Sequence, residues 1–258
     1  MLRSGRHAKH MPPLLPVLAI CFVATLIRST FGFGESLVAV PLLALVIPLE
    51  VAVPLAVLIS ILVAAIVVVQ DHEQIHFESA KWLIAFAVLG IPLGLVILLG
   101  VNPYGVKLGL GCLVVAYSAY ALFSKRTLHL ERDSRLWLFA CGFLSGVLGG
   151  AYGINGPPLV IYGNLRRWDA QQFRATLQAY FLPASFLGAT GFALNGLLTW
   201  HVLRYLLLCL PAIVPTVFLG RSLNRRLQGS SFFKYVYAGL IVVGTLLVVF
   251  TLAGISTG

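Results

Sequence analysis

Two short stretches hold the residues of this chain that could do chemistry: LIRSTFGFGESLVAVPLL (26–43) and YGINGPPLV (152–160). The first carries Arg28 and Glu35, seven residues apart, with Gly32, Gly34 and Ser36 around them. The second carries Gly153, Asn155 and Gly156, followed by Pro157 and Pro158. Glycine weakens a helix interior, and a proline pair stops whatever helix precedes it. Each stretch therefore reads as a break followed by a fresh helix start. Ser36 is placed to cap the first new helix, and Asn155 with Pro157 to open the second. A helix N-terminus offers unpaired N–H groups and a partial positive charge, which together suit an anion. Arg28 adds a guanidinium shaped for an oxyanion, and Glu35 adds a carboxyl group that can carry a proton. Two readings of this pair stand side by side. Either Arg28 attracts an anion while Glu35 binds a coupling proton or competes with that anion for Arg28, or the two neutralise each other and clamp the break. The second break is the poorer cradle, since neither proline has an N–H, and the Asn155 amide is the candidate replacement donor.

The elements that must position these residues are apolar. Of the 258 residues, 59% are hydrophobic and 10% are Asp, Glu, Lys or Arg, against roughly 25% charged in a soluble domain. Apolar runs at 51–69, 83–100, 108–123, 177–194, 203–219 and 235–252 are membrane-span candidates. This describes an all-α, polytopic membrane protein. The net charge of +10 then reflects basic connections between spans rather than a nucleic-acid partner. Cys21, Cys112, Cys141 and Cys209 lie in apolar runs without CxxC spacing, so they read as small buried residues. Arg3, Arg6 and Lys9 before the run 12–27 imitate a signal peptide, but RSTFGFGE follows without a small-x-small cleavage pattern. The expectation is an uncleaved first helix.

The chain also repeats itself. FGFGESLV (31–38) and YGINGPPLV (152–160) share a pattern of aromatic, Gly, any residue, then Gly or Asn, at an offset of 121 residues (153 against 32). IHFESAKWLIAF (75–86) pairs with WHVLRYLLLCL (200–210), and IPLGLVILLG (91–100) with PAIVPTVFLG (211–220), in the same order and at nearly the same offset. One transmembrane domain over 1–258 is expected, with repeat 1 at about 12–123, a linker at 124–135 and repeat 2 at about 136–252. Each repeat is a first segment broken at its glycines, about 12–47 and 136–164, plus three ordinary spans. Neither piece beside a break is expected to reach a full span of roughly 20 residues. Eight simple spans divide Lys and Arg nine against eight between the two sides, which specifies no orientation. If each broken segment is a hairpin returning to its starting side, the division is twelve against five, with Arg28 inside the membrane. The hairpin arrangement makes the halves inverted and puts both termini outside. The N-terminal cluster runs against the rule.

Other polar residues suggest less chemistry. Arg166, Arg167, Asp169 and Arg174 form a basic loop suited to topology and headgroup contacts, with Arg174 nearest a span and a candidate to reach a cavity. His72, His76 and His201 lack ligand spacing, so no metal is expected. Trp82, Trp137, Trp168 and Trp200 fit aromatic belts. Gln178 and Asn195 are either packing polar groups or cavity lining. A lone GxG in GFGES, with no strand before it, does not make a nucleotide loop. A hydrolase would need a nucleophile and base, and Ser145 in GFLSG has only the distant His201 to call on. A channel or assembly subunit is the remaining alternative.

At the paired breaks the chain resembles the TauE/SafE family of sulfite and organosulfonate exporters. The resemblance rests on FGFGESLVAVPLL and GGAYGINGPPLVIYGNLRRW, supported by IHF, TWH and RATLQAYF, and it covers nearly the whole chain. The family pattern is approximately Gly-x-Gly-Gly-Gly, an apolar stretch and Val-Pro, once per half. Val40–Pro41 matches its first copy. Glu35 stands where a glycine is usual, and Asn155 with Pro157–Pro158 alters the second copy. The resemblance implies a multi-pass bacterial inner-membrane transporter of sulfite, sulfoacetate or related small anions, without a cofactor. Alternating access between the halves is the mechanism expected, with coupling to an ion or proton gradient, or facilitated exit, because no ATP-binding loop is present. Arg28, Gly32, Gly34, Glu35, Ser36, Gly153, Asn155 and Gly156 are the substrate-binding candidates, and no residue is assigned a catalytic role.

Overall fold

The computed structural model describes residues 14–123, 130–168, 170–226 and 231–253. The described chain is helical. Its elements are α1 (Leu14–Phe31), α2 (Glu35–Leu43), α3 (Leu49–Asp71), α4 (Phe77–Gly100) and α5 (Pro103–Phe123), then α6 (Arg135–Tyr152), α7 (Gly156–Leu165), α8 (Ala170–Leu194), α9 (Trp200–Arg226) and α10 (Ser231–Leu252). Among the described residues, seven helices are long and apolar enough to cross a membrane. Large apolar side chains such as Phe22, Leu93, Val96, Phe186 and Phe218 face outward. In lipid that is their low-energy side, because only backbone polar groups must be satisfied internally.

Both broken segments are two helices. The arms are unequal: α1 and α6 each have 18 residues and can reach across, whereas α2 has 9 and α7 has 10. The expectation of two short arms thus holds only for the second of each pair. The breaks follow from backbone conformation. Gly32 (φ 85°) and Gly34 (φ 94°) are left-handed between α1 and α2, and Gly153 (φ 66°) is left-handed after α6. Side chains other than glycine rarely adopt that region. At α6 the Gly153 N–H bonds the Gly149 carbonyl and the Ile154 N–H bonds Leu148, a Schellman ending.

The helix starts at the two breaks repeat as well: α7 begins 121 residues after α2 (156 against 35). Helix neighbours come in matching pairs. The first helix of each half packs on the fourth of the other, giving α1 with α9 and α6 with α4; α3 packs on α8 and α5 on α10. Glycines make these approaches close. A Cβ on Gly142, Gly146 or Gly150 of α6 would stand 2.7, 2.3 or 2.3 Å from the carbonyl oxygens of Leu83, Ala87 and Ile91 in α4. This is small-residue packing, which replaces the hydrophobic drive that lipid does not supply. The contacts run in step along both chains, so α4 and α6 are parallel.

One end of the bundle is polar. Asp71 at the end of α3 meets Arg174 of α8 (3.6 Å) and Arg221 of α9 (3.3 Å). Asp133, just before α6, pairs with Arg166 (2.8 Å), and accepts from Tyr162 (2.7 Å) and from Ser79 of α4. The His76 N–H donates to Thr176 of α8. The start of α6 and the end of α7 therefore lie at the same end, and so do the end of α3, the starts of α4 and α8 and the end of α9.

Several sequence expectations need adjustment. Arg174 is buried and ion-paired, and Arg166 is held by Asp133, so neither is free for headgroups. Asp169 lies outside the described residues. Cys21, Cys141 and Cys209 are buried, but Cys112 is exposed. Trp82 stacks on Phe86 beneath Arg135, and Trp168 packs between His76 and Tyr162, while Trp200 is exposed.

Candidate functional site

The two breaks meet at one cavity. Arg28, Gly34, Glu35, Ser36, Gly153, Asn155 and Gly156 line it, together with Ser60 of α3 and Phe181 of α8. Of the eight residues singled out from the sequence, Gly32 alone does not line it. Gly32 instead offers its carbonyl to the Gln178 amide (2.7 Å), and its Cα rests against the Arg174 backbone. The cavity encloses about 20 Å3, room for a water-sized group. A sulfonate needs its walls to part.

Arg28 organises the site. Its side chain is 3% exposed, and that of Glu35, its ion-pair partner, 2%. Arg28 Nη1 reaches Glu35 Oε2 and donates to Ser60 Oγ (2.7 Å). Nη2 donates to Gln178 Oε1 (2.7 Å) and to the Ser60 carbonyl (3.3 Å), and Nε donates to Gln178 Oε1 (3.2 Å). The Phe181 ring lies 4.9 Å from the guanidinium carbon, a cation–π contact. Glu35 is held more loosely on its far side, where Thr25 Oγ1 is 3.5 Å from Oε1.

The helix starts differ from expectation. Gly34, not Ser36, is the N-cap of α2, and it has no side-chain cap. Ser36 falls inside the first turn because both glycines already turn the chain. The Val38 N–H is the one that bonds back to Gly34, so the N–H groups of the preceding turn have no intrahelical partner. Glu35 is the first residue of that helix, where its negative charge suits the helix dipole. Asn155 does precede α7, with proline in the first turn, but its side chain makes no capping bond and lies against Gly149. Its carbonyl accepts from Ser145 Oγ (2.6 Å). That bond uses the hydroxyl considered above as a nucleophile, and no histidine lines the cavity. The Tyr180 hydroxyl is buried beside Ser145 and Asn155.

Two long helices brace both breaks. α3 supplies Ser60 to Arg28 and packs Val53 and Val57 on Gly153. α8 supplies Gln178 and Phe181 to Arg28, and Arg174 to Gly32. Sequence reasoning left Gln178 open and passed over Ser60 and Phe181. Their one signal is the repeat offset, since Ser60 and Phe181 stand 121 residues apart like Gly32 and Gly153.

The model of the family described as Sulfite exporter TauE/SafE matches residues 17–248 of this chain. The chain belongs to the TauE/SafE family. No curated protein and no solved structure matches it at a significant level. The match spans α1 to α10 and thus takes in both breaks and both bracing helices. TauE/SafE membership makes the chain a multi-pass membrane protein of an anion-exporter family, with a small-molecule substrate and a lipid surround. The family is one of transporters rather than enzymes.

Proposed function

We propose that the chain is a secondary transporter of small anions of the sulfite or organosulfonate type, working by alternating access between two inverted halves. Arg28 is the observation that carries this reading. A buried guanidinium stands in a cavity lined by both breaks, beside the first turn of α2. Cation and helix start offer the same charge to the same space, and an intramembrane ionisable group in such a place is costly unless it is used. Inversion is supported by the shared end of α6 and α7 described above. It is supported too by the parallel run of α1 with α9, where Gly220 packs on Ser29 and Cys21 adjoins Cys209. Inverted halves rocking about a central site alternate its exposure. Export across a bacterial inner membrane, with a proton as the coupling ion, completes the proposal.

Proteoliposomes loaded with sulfite or small sulfonates test it, with and without a pH gradient, comparing wild type with Arg28→Gln. Saturable, gradient-driven efflux by wild type, reduced by about 100-fold or more in a folded Arg28→Gln, is the expected result. Equal flux by the two proteins would remove Arg28 from the site. Flux that neither saturates nor shows counterflow would identify a channel.

A further inference from the structure

We propose that Glu35 is a tethered competitor for Arg28: an anion with a carboxylate- or sulfonate-like head takes its place on the guanidinium, and Glu35 withdraws protonated. This rests on the anion-transport reading above and adds the event that admits the anion. An arginine has five N–H donors, and all of those on Arg28 are engaged: one by Nε to Gln178, two by Nη1 to Glu35 and Ser60 Oγ, and two by Nη2 to Gln178 and the Ser60 carbonyl. An incoming anion must therefore displace a partner.

The partners are not equally displaceable. The Ser60 carbonyl is fixed in the backbone of α3, and Ser60 Oγ is also tied to Ser185 Oγ (3.0 Å). Gln178 is anchored at its other end by the Gly32 carbonyl. Among the described residues Glu35 has only the long Thr25 hydrogen bond besides Arg28, and it lines the cavity into which it can swing. Charge points the same way. Displacing a neutral partner would leave two anions on one buried guanidinium, whereas displacing Glu35 keeps one. Among the residues lining the cavity no second cation awaits Glu35, so it leaves as the carboxylic acid. It takes one proton from the water that enters with the anion, and returns that proton when the anion departs and the ion pair re-forms. The site holds one cation and one anion throughout. A monovalent sulfonate thus moves with one proton in the same direction, without net charge, and its own outward gradient rather than an inward proton gradient drives export.

The groups packed around the pair are few. Thr25 and the Cys21 thiol stand on α1, Ser60 on α3, Gln178 on α8 and Asn155 at the second break, while Cys209 of α9 adjoins Cys21. Glu35 is the only carboxyl group among the residues lining the cavity. The second half has no equivalent pair, since Gly149 and Gly156 occupy the positions 121 residues after Arg28 and Glu35.

Binding of methanesulfonate to the purified full chain, read by titration calorimetry and thermal shift, decides the matter. The probe is useful because its charge is constant across the pH range. Glu35→Gln should bind about tenfold or more tightly than wild type at about pH 8. Wild-type affinity should rise about threefold or more as the pH falls to about 5.5, while that of Glu35→Gln stays flat. Binding by Glu35→Gln that is no tighter than wild type, or that keeps the wild-type pH dependence, overturns the proposal and leaves Glu35 a ligand or a clamp. If Glu35→Gln folds only when methanesulfonate is present, the anion is replacing the missing carboxylate, as proposed. Failure of both Glu35→Gln and Glu35→Ala to fold in saturating methanesulfonate makes the pair a structural clamp and overturns it. If folded wild type and variant both bind neither methanesulfonate nor sulfite, the anion reading itself falls, and this inference with it.

Discussion

Arg28 and Gly32 show how two residue types divide the work at the first break. Arg28 supplies the charge, and Gly32 supplies the turn that brings Glu35 back beside it. Gly32 sits at φ 85°, and a Cβ there would stand 2.9 Å from the Arg174 Cα. Both a strained backbone and a collision with fixed backbone atoms oppose any side chain. Gly32→Ala should lose about 1–3 kcal/mol of stability, read as a lower unfolding temperature in detergent and a weakened response to methanesulfonate. Unchanged melting would mean that the turn relaxes without cost. Arg28 and Glu35 were legible in the sequence because charge in an apolar run stands out. Ser60 was not, because one hydroxyl in a long apolar helix has only its repeat offset to Phe181 to mark it until the fold brings Arg28 to it. Ser36 misled for a related reason: a capping residue type is visible in sequence, but the left-handed glycines that pre-empt it are not.

At the scale of elements, the contact between α4 and α6 is the most exacting. Gly90 and Gly94 on one helix and Gly142, Gly146 and Gly150 on the other let the backbones touch. Gly146→Ala should separate them and lower stability by about 1–3 kcal/mol. Gly188→Ala is the matched control, because nothing lies within 4 Å of a Cβ there, and it should melt like wild type or slightly higher. Equal effects at the two positions would deny the close contact. The span candidates 83–100 and 108–123 were visible as hydropathy and became α4 and α5. The pairing of α4 with α6 was invisible, because apolar helices present similar faces and only the interdigitated glycines choose among partners.

For the whole molecule, the polar end sets sidedness. The ties of Asp71 and Asp133 gather the connections at 71–81 and 165–176 and the end of α9, and the hairpin arrangement puts the basic majority on that side. If the positive-inside rule orients the chain, that end faces the cytoplasm. Cysteine introduced at exposed Asn102 or Gly196, at the opposite end, should react with an impermeant maleimide added to intact cells. Cysteine at Glu131 should react only after the membrane is opened. The reverse pattern would invert the orientation while leaving the site intact. The Lys and Arg count could suggest hairpins but not demonstrate them, since charge reports which side a loop prefers and not which helices are joined.

By itself the sequence determined that this chain lives in a membrane, that its helices break twice in similar places, and that a cation and a carboxyl group flank the first break. Those properties follow from composition, glycine conformation and the cost of charge in lipid, which are local and readable in one dimension. Tertiary structure alone decided that the two breaks, 121 residues apart, line one cavity, that Ser60 and Gln178 complete the coordination of Arg28, and that Glu35 is the acidic partner on its guanidinium. Each of those depends on α3 packing against α8 beside the breaks. Which apolar helices pass there is settled by shape, through contacts too short-ranged to leave a periodic trace in the chain.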